Sequence, residues 1–127
     1  MIAVILASGR LDRLYTALSL LVCTAAEGER ALGLATFAAL DPLLDDALEA
    51  RALRPEETPE FTAPGRATFA RTLVELRATA AELPACQIWA CAAAVETTGI
   101  EVAGRLDGVS STPRFLREVG EGRLVVV

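Results

Sequence analysis

The feature that most constrains this chain is the alternation of short, wholly apolar runs with longer stretches whose apolar residues recur at helical spacing. Ile2 to Ala7 is apolar without a break, is β-branched at Ile2, Val4 and Ile5, and stops at Ser8-Gly9, the pattern of a strand buried on both faces. Leu14, Ala17, Leu18, Leu21, Val22 and Ala25 then repeat with the period of a helix, and Gly28 supplies a stop. Ala31 to Ala38 reads as a second strand, followed at Asp41-Pro42 by the capped start of a helix running to about Leu53. Pro55, Pro59, Pro64 and Gly65, with three glutamates, make Arg54–Arg66 an acidic loop expected to be the most mobile segment. Phe69, Leu73, Leu76, Ala80 and Leu83 restore a helical stripe that Pro84 closes, and Cys86 to Ala93 is a third apolar run whose strand ends near Cys91. Val109 marks a short strand, Ser111-Thr112-Pro113 a helix start, and Arg123 to Val127 a last strand.

Strands alternating with helices imply a largely parallel sheet, because a parallel crossover must return over the sheet. The expected architecture is a three-layer α/β/α fold with a mostly parallel five-stranded sheet of the flavodoxin-like kind. With 127 residues, 53% of them hydrophobic, the chain reads as one domain over 1–127 that can bury its core without disulfides or a metal.

Missing residue types narrow the chemistry further. There is no His, and all 12 cationic side chains are Arg. Without His there is no Ser-His-Asp or Cys-His pair and no imidazole metal ligand; without Lys there is no phosphate-loop lysine or Schiff base. Ser8-Gly9-Arg10-Leu11-Asp12 lacks the glycine-rich turn of dinucleotide folds, and Glu56, Glu57 and Glu60 read as solvated charge rather than metal ligands, so neither cofactor nor metal is expected. A net charge of -5 disfavours nucleic acid and anionic membrane. The uncharged runs Leu14–Ala26 and Leu83–Val95 fall short of the ~18 residues that span a bilayer. No secretory signal is visible at Met1–Ser8, and three cysteines suggest free thiols, so a cytoplasmic location is expected.

In open parallel sheets, ligands and chemistry collect beyond the carboxyl ends of the strands. Two candidates lie there: Ser8-Gly9 after the first strand and Cys91 after the third. At that position the unpaired N–H groups of a following helical turn, beginning at Ala92, would stabilise a Cys91 thiolate. The alternative is that Cys91 is a small buried hydrophobe. Cys86 lies five residues earlier on the strand, at about 16 Å, outside disulfide reach. Trp89 reads as core packing.

The strand ending Ala7-Ser8-Gly9, the uncharged helix closing at Glu27-Gly28, Leu34-Ala35-Thr36-Phe37, the segment Ile88-Trp89-Ala90-Cys91-Ala92-Ala93-Ala94-Val95-Glu96-Thr97-Thr98-Gly99-Ile100, and Leu106-Asp107-Gly108-Val109 together resemble the DsrE/DsrF-like (DsrEFH-like) family over nearly the whole chain. The resemblance implies a small α/β/α domain that assembles into dimers, trimers or hexamers. In some members of that family a cysteine at the position of Cys91 carries sulfur as a persulfide. The polar residues often found after that cysteine are alanines here.

Two functions follow as expectations. In the first, a cofactor-free sulfur carrier or sulfurtransferase, Cys91 accepts sulfur from a donor protein and passes it to an acceptor thiol, with Ser8, Gly9, Ala92 and Thr97 forming the surrounding binding groups. In the second, the chain is a non-catalytic oligomeric module that binds a small ligand at the strand ends or serves regulation. Homo-oligomerisation is expected in either case, because Tyr15 to Ala26 carries no charge even on the side away from its apolar stripe. Thr16, Ser19, Leu20 and Cys23 are the candidate interface residues.

Overall fold

A computed structural model describes residues 1–102 and 104–127. Five strands, β1 (Ile2–Leu6), β2 (Ala31–Ala35), β3 (Cys86–Cys91), β4 (Val109–Ser110) and β5 (Arg123–Val126), form an all-parallel sheet in the order β4-β3-β2-β1-β5. The helices are α1 (Leu11–Ala26), α2 (Phe37–Leu43), α3 (Leu48–Ala52), α4 (Ala63–Glu82), α5 (Ala92–Thr98) and α6 (Thr112–Val119), with a 3-10 turn at Pro55–Glu57. The three-layer plan is the one expected. The order places β1 between β2 and β5, whereas the flavodoxin order sets it between its second and third strands. Among the described residues no helix is long and apolar enough to cross a membrane.

Handedness explains the layers. Three successive steps in one direction, β1 to β4, put their crossover helices on one face, and the reversal to β5 puts α6 on the other. Ile2, Val4, Leu6, Gly33, Ile88 and Ala90 share the α1 face by register. Ala3, Ile5, Leu32, Leu34 and Trp89 share the opposite one, where Phe115 of α6 meets the Trp89 ring edge-on at 6.3 Å. Every residue of β2 is buried. A Cβ on Gly33 would stand 3.2 Å from Leu21 and 3.3 Å from both Leu6 and Ile88. The missing side chain therefore lets three large ones converge over the central strand.

The sequence reading needs correction between Thr36 and Arg66. The strand ends at Ala35, and α2 begins at once, with the Ala39 N–H donating to the Thr36 carbonyl at 2.8 Å. Asp41-Pro42 is inside α2 instead of starting a helix; Pro42 has no N–H for the Ala38 carbonyl, yet the Leu44 N–H still bonds the Leu40 carbonyl at 3.0 Å, and α2 ends at Leu43. A turn follows in which the Asp45 carboxylate accepts the Ala47 N–H at 2.8 Å, so α3 is a separate helix. Ala63–Arg66 belongs to α4: Thr62 Oγ1 accepts the Gly65 N–H at 3.1 Å, and Pro64 lies in the first turn, where an N–H has no partner to lose.

Gly33→Val forces two methyl groups into the Leu6–Leu21–Ile88 contact. It should lower stability by about 1–3 kcal/mol, read as a reduced urea midpoint at unchanged slope. An unchanged midpoint would show that the three side chains repack freely.

Candidate functional site

The strand order reverses at β1, whose two neighbours come from opposite directions of chain travel, so the rim above β1 is the switch point of this sheet. The loop leaving β1 is held on both sides. Thr36 donates to the Leu6 carbonyl through its N–H at 3.0 Å and its hydroxyl at 3.2 Å, and the Ala7 N–H donates to the Val127 carbonyl at 2.9 Å. Ser8 Oγ accepts the Arg10 N–H at 3.1 Å. A Cβ on Gly9 would lie 2.8 Å from the Ala38 carbonyl oxygen, so only glycine lets this loop pass against α2.

Beyond that loop, Arg10 grips Asp12 with two bonds, 3.1 and 2.7 Å long, at the amino end of α1. The facing wall is the segment after α3. A cleft of about 320 Å³ separates the two, lined by Arg10 and Asp12 on one side and Glu57, Thr58, Pro59, Glu60 and Phe61 on the other.

Three arginines fix the far wall. Arg66 donates to Thr58 Oγ1 and to the Thr58 carbonyl at 2.9 Å, and to the Phe61 carbonyl at 3.0 Å, leaving Thr58 only 5% exposed. Glu57 pairs with Arg54 at 3.2 Å and lies 3.4 Å from the buried Nε of Arg51, which has no aligned acceptor. Phe61 packs edge-on to Phe69 of α4 at 5.0 Å, and Phe69 stacks on Tyr15 of α1 at 5.2 Å. The segment expected to be a solvated, mobile loop is therefore tied by main-chain bonds and an aromatic chain to two helices. Proline spacing conceals this. Phe61, a single aromatic inside a Pro/Glu-rich stretch, is the sequence signal that the stretch is docked.

The expected thiol site is divided. Cys91 sits at the junction of β3 and α5, as expected, but is buried at 4% exposure with its side chain on the α6 face of the sheet. Ala92 follows it, half-buried, as the first residue of α5. Thr97 is exposed in the last turn of α5, six residues on, or about 9 Å along the axis, and is not brought to the thiol. Ser8 and Gly9 stand over β1, two strands from β3 and so about 10 Å away, and belong to the cleft side of the rim. Cys86 lies on the opposite face of β3 from Cys91, and burial pushes its thiol up to about 11, helped by the nearby Asp107 carboxylate. On α1, Thr16 and Cys23 are exposed and Ser19 and Leu20 half-buried.

Arg10, Asp12, Thr58 and Phe61 were not legible as a site, because the two walls are far apart in sequence and meet only through the crossover from β2 to β3. No known protein-family model matches the chain, and no curated protein does.

At pH 8, alkylation of the native protein should modify Cys23 rapidly. Cys86 should resist through burial and a thiolate fraction of only ~0.001, and Cys91 through burial. Peptide mass spectrometry against time checks the order, and fast labelling of Cys91 would show that the packing around it opens readily.

Proposed function

We propose that this chain is a non-catalytic small-ligand-binding or regulatory module, with its site in the cleft over the carboxyl end of β1. The cleft between Arg10-Asp12 and Glu57–Phe61 carries the reading: it is concave, lies at the switch point, and has a wall held rigid by Arg66. Its charge favours a ligand with a cationic group and an apolar flank. Of its three carboxylates, Asp12 is paired with Arg10 and Glu57 with Arg54 and Arg51, which leaves Glu60, without an ion-pair partner among the described residues, to meet a cation. Asp12 already answers the positive end of α1, so the helix does not call for an anion. The Arg10–Asp12 pair is open to solvent and worth under about 1 kcal/mol, so a ligand ammonium displaces Arg10 at small cost. Phe61 and Pro59 supply the apolar contact.

Phenethylamine and phenylpropionate test the reading in a thermal-shift titration. At about ten times its dissociation constant the amine should raise the melting temperature by roughly 3–5 °C, and Glu60→Gln should remove most of that rise. Equal shifts from amine and carboxylate, or none from either, would sink it.

The resemblance to DsrE/DsrF-like proteins supports a second reading, persulfide carriage, and the place of Cys91 at the end of β3 favours it. In that chemistry the Cys91 thiolate attacks the outer sulfur of a donor persulfide, the donor thiolate leaves, and the Cys91 persulfide later gives its outer sulfur to an acceptor thiolate. At 4% exposure the step requires the packing over Cys91 to open locally. Mass spectrometry after treatment with a donor persulfide should then show one added sulfur on Cys91 and none on Cys91→Ser; equal uptake by the two proteins removes this reading.

A further inference from the structure

We propose that β5 is a pairing edge for a second copy of this chain, the two copies joining antiparallel through Leu124 and Val126 to form one continuous sheet. The surface lies apart from the ligand cleft and does not depend on it.

The phase of the ladder exposes the edge. Val127 donates its N–H to the Ile5 carbonyl and accepts the Ala7 N–H, both at 2.9 Å. Alternate residues of a parallel strand address opposite neighbours. Arg123, Val125 and Val127 therefore turn to β1, while the N–H and C=O groups of Leu124 and Val126 point away from the sheet. Among the described residues β5 pairs with β1 alone.

The two ends of the sheet are guarded differently. At the far end β4 is two residues long and runs into Ser111-Thr112-Pro113, which blocks extension. Leu124 to Val127 has no charge, no proline and no glycine. The side chains of Leu124 and Val126, on the α6 face by register, are 44% and 64% exposed.

A second copy fits this edge by its own symmetry. A two-fold axis through Val125 sets Leu124 opposite Val126 of the second copy and the reverse, so every outward main-chain group of the pair finds a partner and four apolar side chains meet on one face. Arg123 falls opposite Val127 of the second copy, so no like charges are opposed. A strand pair alone is smaller than the ~1,200 Å² of a stable interface, so this is a weak dimer that forms as concentration rises.

Sedimentation of the parent from about 1 to 500 μM should show the mass rising from the 13.4 kDa protomer toward twice that value. Val126→Pro, which removes an outward N–H but no bond to β1, and Leu124→Lys should each raise the dimer dissociation constant by about 10-fold or more with circular dichroism unchanged. Should Val126→Pro fail to fold, hydrogen exchange of the parent decides: the Leu124 and Val126 amides should be protected at high concentration and exchange quickly on dilution. A parent that stays monomeric over that whole range, a trimer or hexamer, a dimer indifferent to Leu124→Lys, or exchange at these amides that ignores concentration would each overturn the proposal.

Discussion

The close approach over β2 governs the rest of the molecule. A five-residue strand buried on both faces cannot offer its main chain to water, so β1 and β3 must take up all its hydrogen bonds while helices shut out solvent above and below. Gly33 sets how near α1 can come, because the ends of Leu6, Leu21 and Ile88 fill the space a side chain would need. With the middle of the sheet closed to polar groups, charge is displaced to the ends of the strands and to the helix surfaces. Arg10, Asp12, Glu57 and Glu60 gather at the rim for the same reason that Leu32 and Leu34 do not.

That rim is uneven, and the unevenness separates two kinds of chemistry. Above β1 the chain leaves through Ser8 and Gly9 and opens onto a cleft. Above β3 it turns directly into α5, and Cys91 at the junction is buried on the α6 face. A thiol in this position gains burial at the expense of access, whereas Arg10, Asp12 and Glu60 above β1 stay open to solvent. The wall facing them owes its order to Arg66, whose planar guanidinium reaches two carbonyls and a hydroxyl at once, a task for which the single ammonium of lysine is poorly shaped.

Much of the architecture was legible because burial on both faces leaves an unbroken apolar run, as at Ile2–Leu6 and Cys86–Cys91, and because Ser111 and Pro113 mark a helix start unambiguously. The errors fell where proline has two meanings. Pro42 lies within a helix and Pro64 in the first turn of one, yet both read as punctuation in sequence. The site was half legible. The rule that chemistry collects at strand ends pointed to Ser8-Gly9 and to Cys91, and the first lies beside the cleft. Local patterns gave no access to the contact between Phe61, Phe69 and Tyr15, which join three segments remote in the chain, nor to the distance that keeps Thr97 from Cys91.

The ladder between β1 and β5 carries a consequence for how the chain comes together. It ties the first strand to the last, so β1 has a neighbour on only one side while α1 through α6 are being laid down. A nascent chain holding β1 to β4 is already able to collapse around β2, yet it presents the flank of Ala3 and Ile5 as an unfinished seam. Residues Arg123 to Val126 act as the closing stitch, a contact of the greatest sequence separation this sheet contains, and such contacts form late because the intervening chain must be ordered first. The half-sewn state is the one most exposed to association with other unfinished chains, so the time between emergence of β1 and arrival of β5 is the interval in which this fold most needs protection.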